Sequence, residues 1–176
     1  RGLGDVYKRQ IGYPSSNPLN LGFDINIAGH AAGRPESYLG IENFGNGEAG
    51  KEVWAVPGLE KYHGKDIFLT EALTQEVINA LDKPVENKSP FFLYFALYGI
   101  HTPLMADERF VKSYYEMGID ETEVRYASMV ESMDMALGNV LNYLEVNQLE
   151  DNTIILFMSD NGGCLLYTSD AADECD

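Results

Sequence analysis

Two stretches of the chain repeat apolar residues at three- and four-residue steps, and two others are short, unbroken apolar runs. Over 66–81, Ile67, Leu69, Ala72, Leu73, Val77, Ile78 and Leu81 share one helical face, so this stretch predicts an amphipathic helix. Asp66 suits its N-terminal end, and Lys83-Pro84 is expected to stop it. Over 121–148, Tyr126, Met129, Val130, Met133, Leu137, Val140, Leu141 and Leu144 form a stripe that predicts a long helix. A shorter helix is expected over 106–117.

The unbroken runs behave differently. PFFLYFALY, residues 90–98, and TIILFM, residues 153–158, are too short for buried helices and fit strands covered on both faces, as in a parallel sheet. Gly99 ends the first run, so His101-Thr102-Pro103 lies just past a strand's C-terminal end. Ser159-Asp160-Asn161-Gly162-Gly163 follows the second run in the same way. In open α/β sheets ligands bind at that edge. The order helix, strand, helices, strand therefore predicts an α/β fold with polar residues delivered to one end of the sheet. Residues 11–64 show no sustained period and read as a long loop region with small turns, in which Trp54 and Pro57 are the expected packing points. So long an irregular stretch inside a compact domain is usually functional.

Composition narrows the classes. The chain has 28 acidic and 12 basic residues, a formal charge of −16. Such a surface repels phosphate backbones, which argues against nucleic-acid binding. No apolar run approaches the roughly 18–20 residues of a membrane span. The two cysteines, Cys164 and Cys175, both lie near the C-terminal end, so no disulfide framework or thiolate metal site is expected elsewhere. The ends themselves are unusual. Residues 5–10 (DVYKRQ) and 164–169 (CLLYTS) can be encoded by one short DNA element read on opposite strands. That element resembles a transposon-end adapter used in sequencing libraries. Residues 1–10 and 164–176 are accordingly expected to be adapter-derived, with 11–163 as the biological segment, truncated on both sides.

Five positions carry candidate chemistry. Asp160 and Asn161 offer a charged and a neutral oxygen side by side, which suits a hard cation such as calcium; the same tripeptide with Gly162 is also a common turn. His101 is either a histidine bonded to nearby backbone or a donor to an anionic ester, able to protonate a leaving oxygen. His30 and Arg34 are candidate substrate contacts, with Arg34 able to make a bidentate bond to sulfate or carboxylate; the alternative is a surface loop of incidental polarity. Among the remaining polar residues, His63 reads as surface.

Taken in order, four stretches resemble the formylglycine-dependent sulfatase family, in its bacterial carbohydrate sulfatase branch. They are Leu21-Gly22-Phe23-Asp24 through Gly29-His30, Phe68-Leu69-Thr70-Glu71 through Ile78, PFFLYFALYGIHTPL over 90–104, and the series from Tyr126 to Asp134 followed by Asp151-Asn152-Thr153-Ile154 and Ser159-Asp160-Asn161-Gly162-Gly163. The resemblance implies an alkaline-phosphatase-like α/β fold, helices around a mostly parallel sheet, of which 11–163 would be an incomplete domain. It implies hydrolysis of sulfate esters, chiefly on carbohydrates, by a formylglycine nucleophile with calcium. Asp160 and Asn161 would then be calcium ligands, and His101 would contact the sulfate and help protonate the leaving alcohol. The family's Cys/Ser-x-Pro-x-Arg motif is absent, as are its upstream aspartate pair, its upstream Lys-x-His pair and its downstream lysine, so the parent is expected to be an enzyme and this polypeptide inactive. A periplasmic or secreted location is expected by the same resemblance. Two rivals stay open: a phosphate or phosphonate ester hydrolase of the same superfamily, and a non-catalytic sulfatase-like binding module. Asn161 favours an oxygen-loving cation over the zinc of many phosphatases.

Overall fold

The structure is a computed structural model that describes residues 2–3 and 17–159. Three short strands, β1 (Gly2–Leu3), β2 (Phe23–Ile25) and β3 (Phe92–Leu93), form a parallel sheet in the order β2-β1-β3. Three helices pack with it: α1 (Leu69–Glu86), α2 (Val111–Glu116) and α3 (Glu121–Val146). β1 lies within the segment expected to be adapter-derived. Ladder pairing uses only main-chain groups, which every non-proline residue carries, so two paired residues place little demand on sequence.

α1 buries Leu69, Ala72, Leu73, Val77 and Leu81, the face that the periodicity predicts. It begins later than expected. Asp66 stays outside, because the chain first docks by an antiparallel bridge between Leu39 and Phe68, and the Leu69 N–H then donates to the Tyr38 carbonyl at 2.8 Å. It also continues through Pro84 to Glu86, correcting the expected stop. The last turn closes around the proline, with Ser89 N–H donating to the Pro84 carbonyl at 2.8 Å.

α3 is capped by Asp120, whose carboxylate accepts from the Thr122 and Glu123 N–H groups. Its buried residues are Val124, Ser128, Met129, Ser132, Ala136 and Leu144. That stripe is rotated from the expected one: Val130 and Leu141 face solvent, and two serines face in. One serine hydroxyl, Ser128, accepts the Asp107 N–H at 3.1 Å. α2 starts at Val111 rather than 106, because Asp107 caps its own turn, accepting from the Arg109 N–H and guanidinium.

The strands depart most from expectation. Only Phe92 and Leu93 of the 90–98 run join the ladder. Leu93 and Phe95 pack with Val77 and Leu81 of α1 and Val140 of α3, while Phe92 is 58% exposed and Tyr94 49%. Alternate side chains point to opposite faces. Helices cover one face; on the other, half-exposed one, the Phe23 and Phe92 rings lie 5.9 Å apart. Residues 153–158 pair with no strand among the described residues, and Ile154 is 91% exposed, Leu156 81%.

The loop region is better packed than its sequence suggests. Tyr38, Phe44, Val56 and Leu59 are fully buried and join Phe68, Leu69, Leu73, Tyr98 and Met129 in the main core. Val56 and Leu59, rather than the exposed Pro57, anchor this part of the chain.

Candidate functional site

The 90–98 run brings the chain past α3 into a tight turn. Gly99 passes so near the helix that an added Cβ would stand 3.1 Å from Met133 Sδ. The Gly99–Ile100 and Thr102–Pro103 peptide bonds are cis. His101 N–H donates to the Tyr98 carbonyl at 3.0 Å, closing the turn, and the His101 ring projects into solvent. Its Nδ1 lies 3.0 Å from the Thr102 carbonyl and 3.2 Å from Thr102 Oγ1. A carbonyl can only accept, so Nδ1 carries the proton in that bond and Nε2 is the nitrogen turned outward. The backbone-bonded arrangement considered for this histidine is thus present on Nδ1, and it leaves Nε2 free of that bond.

Two tyrosines hold the turn from beneath. The Tyr38 hydroxyl lies 2.8 Å from the Tyr98 carbonyl and 2.9 Å from the His101 carbonyl. The Tyr98 hydroxyl donates to the Ala28 carbonyl at 2.7 Å and stands 2.7 Å from His30 Nδ1. With the phenolic proton on the Ala28 carbonyl, His30 Nδ1 is placed to donate to the phenolic oxygen, and His30 Nε2 is buried without a well-formed hydrogen bond. Burial lowers the His30 pKa, and the Ala28 and Val53 carbonyls partly oppose the shift. His30 is therefore neutral, with both ring nitrogens turned into the protein.

Arg34 sits on the next turn of the same loop. Its guanidinium carbon stands 4.2 Å from the centre of the Trp54 ring, a cation–π stack. The loop is fixed there by Glu36 N–H donating to the Trp54 carbonyl at 2.9 Å. Stacking occupies a guanidinium face and leaves its edge donors, and no ion pair to Arg34 is formed among the described residues. His30 thus joins the His101 turn through Tyr98, and Arg34 joins His30 through their common loop and the Val53-Trp54 segment.

Asp160 and Asn161 lie outside the described residues. Within them, no three histidine, cysteine or acidic side chains are grouped to hold a metal ion. His63, expected at the surface, is half-buried, with its ring 6.3 Å from that of Phe44 and a buried Nε2.

Sequence reasoning passed over Tyr38 and Tyr98. The available signal was chemical: a tyrosine inside an apolar run must find a partner for its hydroxyl when buried.

Comparison with known proteins gives this arrangement its setting. The family model described as Sulfatase matches residues 3–172. Mouse arylsulfatase J is 31% identical over 146 residues, covering 83% of this chain and 24% of that protein. The uncharacterized sulfatase YdeN of Escherichia coli K12 is 33% identical over 150 residues, 84% of this chain and 24% of that protein. The crystal structure of Ps i-CgsB in complex with k-i-k-neocarrahexaose superposes with a TM-score of 0.69 at 30% identity, covering 93% of this chain and 37% of that one. The chain spans about a quarter of the curated relatives and little more than a third of the solved structure. Its sheet and helices are accordingly part of an alkaline-phosphatase-like α/β domain, and the chain belongs to the sulfatase family.

Proposed function

We propose that this chain is part of the catalytic domain of a longer sulfuric ester hydrolase acting on sulfated carbohydrates. The observation that carries the reading is the His101 turn: a family-matched segment whose backbone is tied down while the imidazole faces outward through Nε2. With Nδ1–H held on the Thr102 carbonyl, Nε2 is the site that gains a proton and can pass it to the departing alcohol. Arg34, stacked on Trp54, presents edge donors suited to a sulfate or carboxylate of the sugar chain. His30 supports the same surface from within through Tyr98. The likeness to a protein solved in complex with k-i-k-neocarrahexaose supports a carbohydrate substrate.

Asp160 and Asn161 fit calcium in kind, since both give hard oxygen donors, but they supply two of the roughly six to eight that the ion takes. The remainder would come from other parts of the protein. When present, calcium supplies Lewis acidity and a template for the sulfate oxygens, and formylglycine supplies the nucleophile. In this reading residues 11–163 are the catalytic-domain segment and residues 1–10 and 164–176 are adapter-derived.

The test is release of inorganic sulfate by the full-length protein from a panel of sulfated oligosaccharides, with 4-nitrophenyl phosphate as the competing ester. Sulfate release should stop on calcium chelation and resume on its return. His101→Ala should lower kcat by about a hundredfold or more. Faster turnover of the phosphate ester, or sulfate release indifferent to His101, would sink the reading.

A further inference from the structure

We propose that Tyr38 is a positioning residue for His101, fixing the imidazole for proton transfer by sharing its one phenolic proton between the two carbonyls of the turn that carries it. The inference rests on the reading of His101 as the group that protonates the leaving alcohol.

Tyr38 is the most constrained side chain near that turn. It is fully buried, and its ring stacks on Phe68 with centroids 5.4 Å apart and planes 14° apart. Its main chain is anchored at both polar groups: the N–H faces Met105 Sδ at 3.3 Å, and the carbonyl receives the first N–H of α1. The hydroxyl therefore reaches the turn from a rigid base. It meets the carbonyl at each end of the turn, Tyr98 and His101, at 2.8 and 2.9 Å. Burial pushes the phenol's pKa well up, so the hydroxyl stays a donor throughout the working pH range.

The His101 ring itself is exposed, and among the described residues its hydrogen bonds are local, both to Thr102. Its aim is consequently set by its backbone, and that backbone is held by the Tyr98 carbonyl and the Tyr38 hydroxyl. Proton transfer demands tight geometry, and a displacement of about 1 Å can cost on the order of a hundredfold in rate. Sixty residues separate Tyr38 from Tyr98, so the constraint reaches the turn from a distant part of the chain.

The test uses the full-length protein, with two substrates: the sulfated oligosaccharide it turns over best, and 4-nitrophenyl sulfate, whose leaving group needs little protonation. Tyr38→Phe should lower kcat on the oligosaccharide about tenfold, leave KM within about twofold, and change 4-nitrophenyl sulfate turnover by less than about threefold. In a His101→Ala background the same substitution should cost almost nothing more. If the phenylalanine variant does not fold, 4-methylphenylalanine at position 38 keeps the volume and lacks only the donor, and 4-aminophenylalanine restores a donor and should recover the rate. Equal losses on both substrates, an additive loss with His101→Ala, or unchanged kcat would overturn the proposal. A His101→Ala enzyme as fast as wild type would instead overturn the reading of His101.

Discussion

His30 is held neutral by burial, and this makes it a reporter of acid sensitivity. Its folded pKa lies below the ordinary 6.5, so as pH falls the unfolded chain takes up the proton first. The stability tied to His30 is therefore complete above about pH 6.5 and lost as pH drops through the folded value. The urea midpoint should fall between about pH 7.5 and pH 5.5, and His30→Gln should flatten that fall. An equally steep decline in the variant would show that the ring is solvated. Asp107 is also buried, and its carboxylate is matched by the Arg109 Nε and Nη2 donors at 2.9 and 2.6 Å, with Arg109 Nη1 also reaching Glu71 at 2.7 Å. Asp107→Ala should cost about 2 kcal/mol in denaturant unfolding, since charge-assisted bonds are lost while the half-exposed arginine regains water. At this scale the turn at His101 was legible, because Gly99 breaks the apolar run just before it, whereas the strand expected to lead into it ends at Leu93. Tyr38 and Tyr98 were not legible, because their partners are main-chain carbonyls far away in sequence, which no local pattern encodes.

The helices show what periodicity can and cannot give. α1 buries the stripe its sequence announces, because a helix with one apolar face has one way to pack. In α3 the apolar stripe is broad, and the neighbours decide which part of it turns inward; Ser128 and Ser132 face in because Asp107 and Arg109 offer them partners. Leu81 joins the layers: fully buried, it lies with Val77 in a cluster that takes in Leu93 at the sheet and Val140 and Tyr143 of α3. Leu81→Ala should cost about 3 kcal/mol by urea titration, and a cost below about 1 kcal/mol would mean that sheet and helices are not packed there. Pro84 shows the limit of a stop signal. A proline removes one hydrogen bond, and near a helix end the flanking carbonyls find other donors. Strands are less legible still, since a strand exists only through a partner that its own residues do not name.

Across the whole molecule two surfaces stand in contrast. The formal charge of −16 keeps chains apart, whereas 154–158 presents Ile154, Leu156, Phe157 and Met158 to solvent at 91, 81, 75 and 81% exposure. Exposed extended apolar segments promote self-association. Leu156→Lys should suppress concentration-dependent association measured by light scattering, and should shift unfolding free energy by less than about 0.5 kcal/mol. A loss above about 2 kcal/mol would show that the leucine is packed in solution. That same segment runs through Ser159 directly into Asp160 and Asn161. In the calcium reading proposed above, whatever covers this segment also steers the two oxygen donors that follow, and covering it and holding the cation become a single event. Until the segment is zipped into place, this polypeptide should greet calcium no more warmly than any aspartate on a protein's exterior, as isothermal titration of the chain alone would record.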